Sequence, residues 1–92
     1  MSTPTYIREV DNSEFNYGPV IACIEKNRSQ DIRIRLCELH GQIYVDVRVF
    51  AEDKGQDERQ PRKKGVTLKV ERLPELVDGL LSAEREWRGR PD

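Results

Sequence analysis

Two runs of alternating side chains flank a single His-Gly pair, and this arrangement narrows what the chain can fold into. Ile32, Ile34 and Leu36 alternate with Arg33, Arg35 and Cys37, and Leu39 closes the first run. After His40-Gly41, Ile43, Val45, Val47 and Val49 interleave with Tyr44, Asp46, Arg48 and Phe50. A period of two with β-branched residues specifies strands. An X-Gly pair between such runs suits a two-residue hairpin turn, because glycine accepts positive φ without steric cost. That turn predicts Leu39 opposite Gln42, Cys37 opposite Tyr44, Arg35 opposite Asp46 and Arg33 opposite Arg48. Side chains point to opposite sides along a strand, so the hairpin has two unlike faces. One holds Ile32, Ile34, Leu36, Ile43, Val45, Val47 and Val49 and must be covered. The other holds Arg33, Arg35, Leu39, Gln42, Tyr44, Asp46, Arg48 and Phe50; it is basic and partly aromatic.

The flanking segments are read against this hairpin. Residues 1–19 are polar, lack a sustained period and close on Gly18-Pro19, so they read as a loose acidic arm from which Tyr6, Phe15 and Tyr17 are free to dock. Val20 to Lys26 is a short apolar run, expected to be the first strand. Glu52 to Lys64 is charged and contains Gly55 and Pro61, which suggests a long exposed loop with a basic end at Arg59, Arg62, Lys63 and Lys64. Gly65-Val66-Thr67-Leu68 reads as a fourth strand. From about Val70 the period becomes helical, with Val70, Leu73, Leu76, Val77, Leu80, Leu81 and Trp87 on one stripe. Pro74 is tolerated only in the first turn, which sets the helix start near Val70 or Glu71. Gly79 lies inside the helix at a cost of about 1 kcal/mol relative to alanine. Residues 20–85 thus form one domain and residues 86–92 a tail.

Of the 92 residues, 36% are hydrophobic and 36% charged. A core built from one copy is therefore thin, and small domains with thin cores recruit a partner, a metal or disulfides. Cys23 and Cys37 lie in strand-like segments without the dense spacing of a disulfide scaffold, and read as reduced thiols. With His40 they reach three zinc ligands at most, in no familiar spacing. Dimerisation remains, through a helical stripe that includes Leu73, Leu76, Val77, Leu80 and Leu81.

The net charge of −1 hides a mildly basic middle between two acidic flanks. No apolar run is long enough to span a membrane, and the first residues lack the basic and apolar regions of a secretory signal. No glycine-rich phosphate loop follows a strand, no paired carboxylates stand out, and the one histidine occupies a turn. Enzyme chemistry and a cofactor are not expected.

Three segments resemble one family. They are the hairpin Leu39-His40-Gly41-Gln42-Ile43-Tyr44-Val45-Asp46-Val47-Arg48-Val49-Phe50, the stretch Pro61-Arg62-Lys63-Lys64-Gly65-Val66-Thr67-Leu68, and the helix start Glu71-Arg72-Leu73-Pro74-Glu75-Leu76. In this order and spacing they are similar to the single-stranded-DNA-binding domain of the transcriptional coactivator family called positive cofactor four, above all its short prokaryotic members. The resemblance implies an α+β fold, a curved four-stranded antiparallel sheet followed by one C-terminal helix, as a homodimer packed through the helices. It implies sequence-tolerant binding of single-stranded DNA in transcription or the handling of melted DNA; single-stranded RNA is the alternative partner. Arg48 matches the family's sheet arginine, and Lys63 and Lys64 its basic pair. Leu39 and Ala51 stand where the family has base-contacting aromatics, and His40 and Gln42 replace lysines beside the turn. Base stacking contributes about 1–3 kcal/mol per base, which leaves Tyr44 and Phe50 as the available substitutes. The expected interface is Arg33, Arg35, Leu39, His40, Gln42, Tyr44, Arg48, Phe50, Arg62, Lys63 and Lys64. The expected setting is the cytoplasm, at the nucleoid, in a prokaryote, or the nucleus in a eukaryote. An alternative keeps the fold as a protein-interaction adaptor that meets the transcription machinery through the acidic arm.

Overall fold

The computed structural model describes residues 14–90. Four strands, β1 (Asn16–Asn27), β2 (Gln30–Leu39), β3 (Gln42–Ala51) and β4 (Gln60–Lys69), form an antiparallel sheet in the order β1-β2-β3-β4. A 3-10 turn, Val70–Arg72, leads into the helix α1 (Leu73–Arg88). This is the expected open sheet with one C-terminal helix.

The central hairpin has the register that its sequence dictates. Leu39 pairs with Gln42, Cys37 with Tyr44, Arg35 with Asp46 and Arg33 with Arg48. Both turn residues have positive φ, 51° at His40 and 81° at Gly41, the conformation whose twist matches that of the flanking strands. The Glu38 carboxylate accepts the Gly41 N–H at 2.9 Å and holds the turn.

Both outer strands are longer than expected. β1 begins at Asn16, so Gly18-Pro19 lies within a strand and not at the end of an arm. Its register slips between Tyr17 and Val20, and β1 is an edge strand, where a proline's missing N–H need not cost a ladder hydrogen bond. Tyr6 and the rest of residues 1–13, the larger part of the arm on which the adaptor role rests, lie outside the described residues. β4 begins at Gln60, so Arg62, Lys63 and Lys64 belong to an edge strand and not to the preceding loop, which shrinks to Glu52–Arg59. Edge strands tolerate charge and proline that a central strand rejects.

The helix starts with Pro74 in its first turn, as the missing N–H requires, and runs to Arg88, beyond the expected domain end at residue 85. It buries none of its residues. A Cβ at Gly79 would meet nothing within 4 Å in the chain. Leu80 is 61% exposed, and Leu36, Ile43 and Val66 on the apolar sheet face are each about 40% exposed. Cys23 and Cys37 are free thiols, opposite Arg33 and Tyr17 respectively in the β1–β2 ladder. No described helix is long and apolar enough to cross a membrane.

Candidate nucleic-acid interface

The polar face expected to be an open cationic surface is largely closed by its own pairings. Asp46 is fully buried and sits at its centre. One carboxylate oxygen accepts Arg35 Nη2 at 2.8 Å. The other accepts Arg48 Nε at 3.0 Å and the Thr67 hydroxyl at 2.9 Å. Burying a carboxylate is costly unless it is paired and hydrogen-bonded, and here both oxygens are engaged.

Arg48 has a second task. It pairs with Gly65, whereas Phe50 pairs with Pro61, so β4 carries Arg62, Lys63 and Lys64 across the space that Val49 alone spans on β3. Such a bulge leaves backbone groups without ladder partners and re-aims side chains. Arg48 Nη1 donates to the freed carbonyls of Arg62 at 3.0 Å and Lys63 at 3.1 Å, while Nη2 donates to Thr67 Oγ1 at 2.9 Å. Gly65 lets β4 rejoin β3 after the bulge. A Cβ there would stand 2.5 Å from the Val47 carbonyl and 2.8 Å from Arg48 Cα, with φ at 153°. The basic stretch is thus held from beneath by one buried guanidinium. Lys63 and Lys64 are exposed and enter no ion pair among the described residues.

A similar cluster organises the far end. Asp31, buried, accepts Arg33 Nε at 2.7 Å and Arg59 Nη1 at 2.8 Å, and Arg59 Nη2 reaches the Arg28 carbonyl at 2.8 Å. The Arg33 hydrogen bond holds the Asp31 carboxyl below the usual carboxylate range, against the opposing effect of burial. Arg59 is therefore an anchor for the loop it closes. At Asp46 two guanidiniums surround one carboxylate, so the centre of the face keeps a positive excess despite its pairings, whereas Arg59 also reaches the exposed Glu52 carboxylate at 3.5 Å and the far cluster is balanced.

Aromatic rings share this face. Arg33 lies 4.5 Å from the Phe50 ring centre, and Arg35 lies 5.0 Å from Phe50 and 3.7 Å from Tyr17. Cations over ring faces are attracted by the ring quadrupole. Phe50 is buried beneath them, which corrects the expectation that it offers a free ring. Burial pushes the Tyr17 hydroxyl pKa up, with the Asp46 charge adding to the effect. Phe15 meets Tyr44 edge-on, with centroids 5.4 Å apart.

The structure gathers Arg33, Arg35, Tyr44, Arg48 and Phe50 on one face and sets Arg62, Lys63 and Lys64 on its β4 edge. Leu39, His40 and Gln42 stand at the hairpin end, where Gln42 Nε2 donates to Glu71 Oε1 at 3.2 Å. Sequence reasoning named Phe15 only as a ring free to dock and missed Lys69; both lie beside Tyr44, and it read Asp46 only as one partner of Arg35. An apolar–Asp–apolar–Arg run opposite a Gly-x-Thr is the signal that would have found the Asp46–Arg48–Thr67 network.

The model of a family described as transcriptional coactivator p15 (PC4) matches residues 26–79. Two crystal forms of BPSL1147, a PC4 homolog from Burkholderia pseudomallei K96243, have the same fold. The orthorhombic form is 36% identical with a TM-score of 0.68, over 75% of this chain and 92% of that one. The tetragonal form is 34% identical with a TM-score of 0.66, over 73% and 97%. No curated protein matches the chain.

Proposed function

The chain belongs to the transcriptional coactivator p15 (PC4) family, and on that premise we propose that it binds single-stranded DNA without strong sequence preference, as a homodimer serving transcription or melted DNA. The family binds nucleic acid and is not enzymatic. The observation that carries the reading is the β4 bulge, where Lys63 and Lys64 stand exposed at the edge of a face with excess guanidinium charge. Lysine and arginine side chains that neutralise phosphates release counterions, which gives sequence-independent affinity.

Pairing of two copies is supported by the unpartnered apolar surface. Val77, Leu80 and Leu81 on α1 are 44%, 61% and 46% exposed, and Leu36, Ile43 and Val66 on the sheet remain half-open. Exposed apolar side chains clustered on one helix face in this way are a feature of interaction sites. The occupant we propose is a second copy, with Leu73, Leu76, Val77, Leu80 and Leu81 in the interface.

Fluorescence anisotropy with labelled oligothymidine, oligouridine and a matched duplex, over a salt series, tests the proposal. Single strands should bind more tightly than the duplex, with log K falling by about 0.7 for each phosphate neutralised per log unit of salt. Lys63→Ala with Lys64→Ala should flatten that slope. Equal binding of strand and duplex would overturn the reading. Sedimentation should return twice the 10.7 kDa chain mass, and a single-chain mass would overturn the pairing.

A further inference from the structure

Four aromatic rings lie on or beside the polar face, and their surroundings separate them into two kinds. Tyr17 and Phe50 each have an arginine guanidinium over the ring, at 3.7 Å for Tyr17 and 4.5 Å for Phe50. Those ring faces are occupied. Phe15 and Tyr44 have no cation over them among the described residues, and both are half-buried. They contact each other edge-to-face, with an interplanar angle of 89°, and Phe15 also meets Tyr17 at a tilt of 43° with centroids 5.9 Å apart, so neither contact is a parallel stack that closes a whole ring face.

Their place in the sheet gives these free faces a context. Tyr44 pairs with Cys37 on one side and with Lys69 on the other. Lys69 is exposed and enters no ion pair among the described residues. Tyr44 is four residues from Arg48 along β3, about 13 Å in extended chain, so the pair lies on the same face as the basic bulge but at its opposite end. Flat apolar rings next to a free ammonium group match an unstacked nucleobase joined to a phosphate.

We propose that Phe15 and Tyr44 form the stacking platform for nucleobases of the bound strand, with Lys69 meeting the adjoining phosphate. This rests on the single-strand reading above and adds where the bases lie.

The experiment compares binding of labelled oligothymidine and an abasic oligodeoxynucleotide of equal length. Wild type should favour oligothymidine by roughly 5- to 150-fold per stacked base. Phe15→Leu with Tyr44→Leu should bring that ratio close to one while leaving the salt slope unchanged, and Phe15→Trp should preserve the ratio. Lys69→Gln should leave the ratio intact and reduce the slope by about 0.7. Should the double variant fail to fold, ring-proton resonances of Phe15 and Tyr44 in wild type give an independent reading. They should shift upfield with oligothymidine and stay put with the abasic strand. A folded double variant that keeps the wild-type ratio, or rings that shift equally with both strands, overturns the platform. Wild type that binds both strands equally overturns it too, while leaving single-strand binding intact. Wild type that binds neither removes the underlying reading and the platform together.

Discussion

Replacing Arg48 with methionine separates a structural clamp from a ligand contact. The arginine side chain is buried and makes four hydrogen bonds, to Asp46, to the Arg62 and Lys63 carbonyls, and to Thr67. Methionine keeps an unbranched apolar stem and removes all four. Removing one partner of a buried pair costs about 3–5 kcal/mol because the other charge stays behind. Asp46 retains Arg35 and the Thr67 hydroxyl, and β4 is an edge strand whose freed carbonyls can reach water. Both points place the cost near the lower bound, about 3 kcal/mol, which is a large share of a total of roughly 5–15 kcal/mol. In a domain of this size the melting temperature should fall by about 12–24 °C. Urea unfolding at one fixed protein concentration reads the loss without confusing it with subunit exchange. Combining Arg48→Met with Asp46→Asn should cost about 1–3 kcal/mol less than the sum of the single changes, since each removes the charge that burdens the other. Amide exchange across Arg62–Gly65 should quicken in the single Arg48 variant. If Arg48→Met unfolds within about 0.5 kcal/mol of wild type while oligothymidine affinity collapses, the guanidinium meets DNA directly and the clamp argument fails.

Three further outcomes follow from the same geometry. Gly65→Ala forces a Cβ against β3 backbone atoms and should cost about 1–3 kcal/mol or more; a variant with an unchanged urea midpoint would contradict the close approach. Arg33 and then Arg59 keep Asp31 ionised below the usual carboxylate range. The lowered folded pKa means that its stabilisation is complete above about pH 3.9 and is lost as pH falls through the folded value. Exchange of the Glu52 amide, which donates to Ser29, should stay slow down to that point and then rise, and Asp31→Asn should make it fast at neutral pH. Burial pushes the Cys37 thiol up while Cys23 is exposed. Iodoacetamide on the native protein should therefore label Cys23 alone, as mass spectrometry of the digest would report; equal labelling would contradict the buried placement of Cys37.

The hairpin was fully legible because its alternation and its His-Gly turn specify one register, and all four cross-strand pairs expected from them occur. The outer strands were less legible for a shared reason. Gly18-Pro19 and Pro61-Arg62-Lys63-Lys64 break the alternation, and only an edge strand with a bulge accommodates such sequences. No local pattern announces that a strand will be an edge. Chemistry on the polar face was misjudged in one respect. Alternation and register place Arg33, Arg35 and Arg48 together and set Asp46 opposite Arg35, but cannot say that Asp46 also holds Arg48, that Asp31 holds Arg33, or that two rings will engage the arginines. The Phe15–Tyr44 contact was hidden for the same reason, since it depends on β1 reaching back to Asn16. The helix was legible from its period, although it starts at Leu73 after a 3-10 turn and not near Val70, and the exposure of its apolar stripe follows from the path of the chain after Val70, which periodicity does not encode.

The most direct test of the account is an amide-resolved NMR titration of the full-length protein with oligothymidine. The shifts should gather at Tyr44 and Lys69 and across Lys63–Gly65, with the exposed stripe of α1 unaffected. Shifts confined to Val77, Leu80 and Leu81, with none on the strands, would mean that the arginine-bearing side of the sheet is not where the nucleic acid lies.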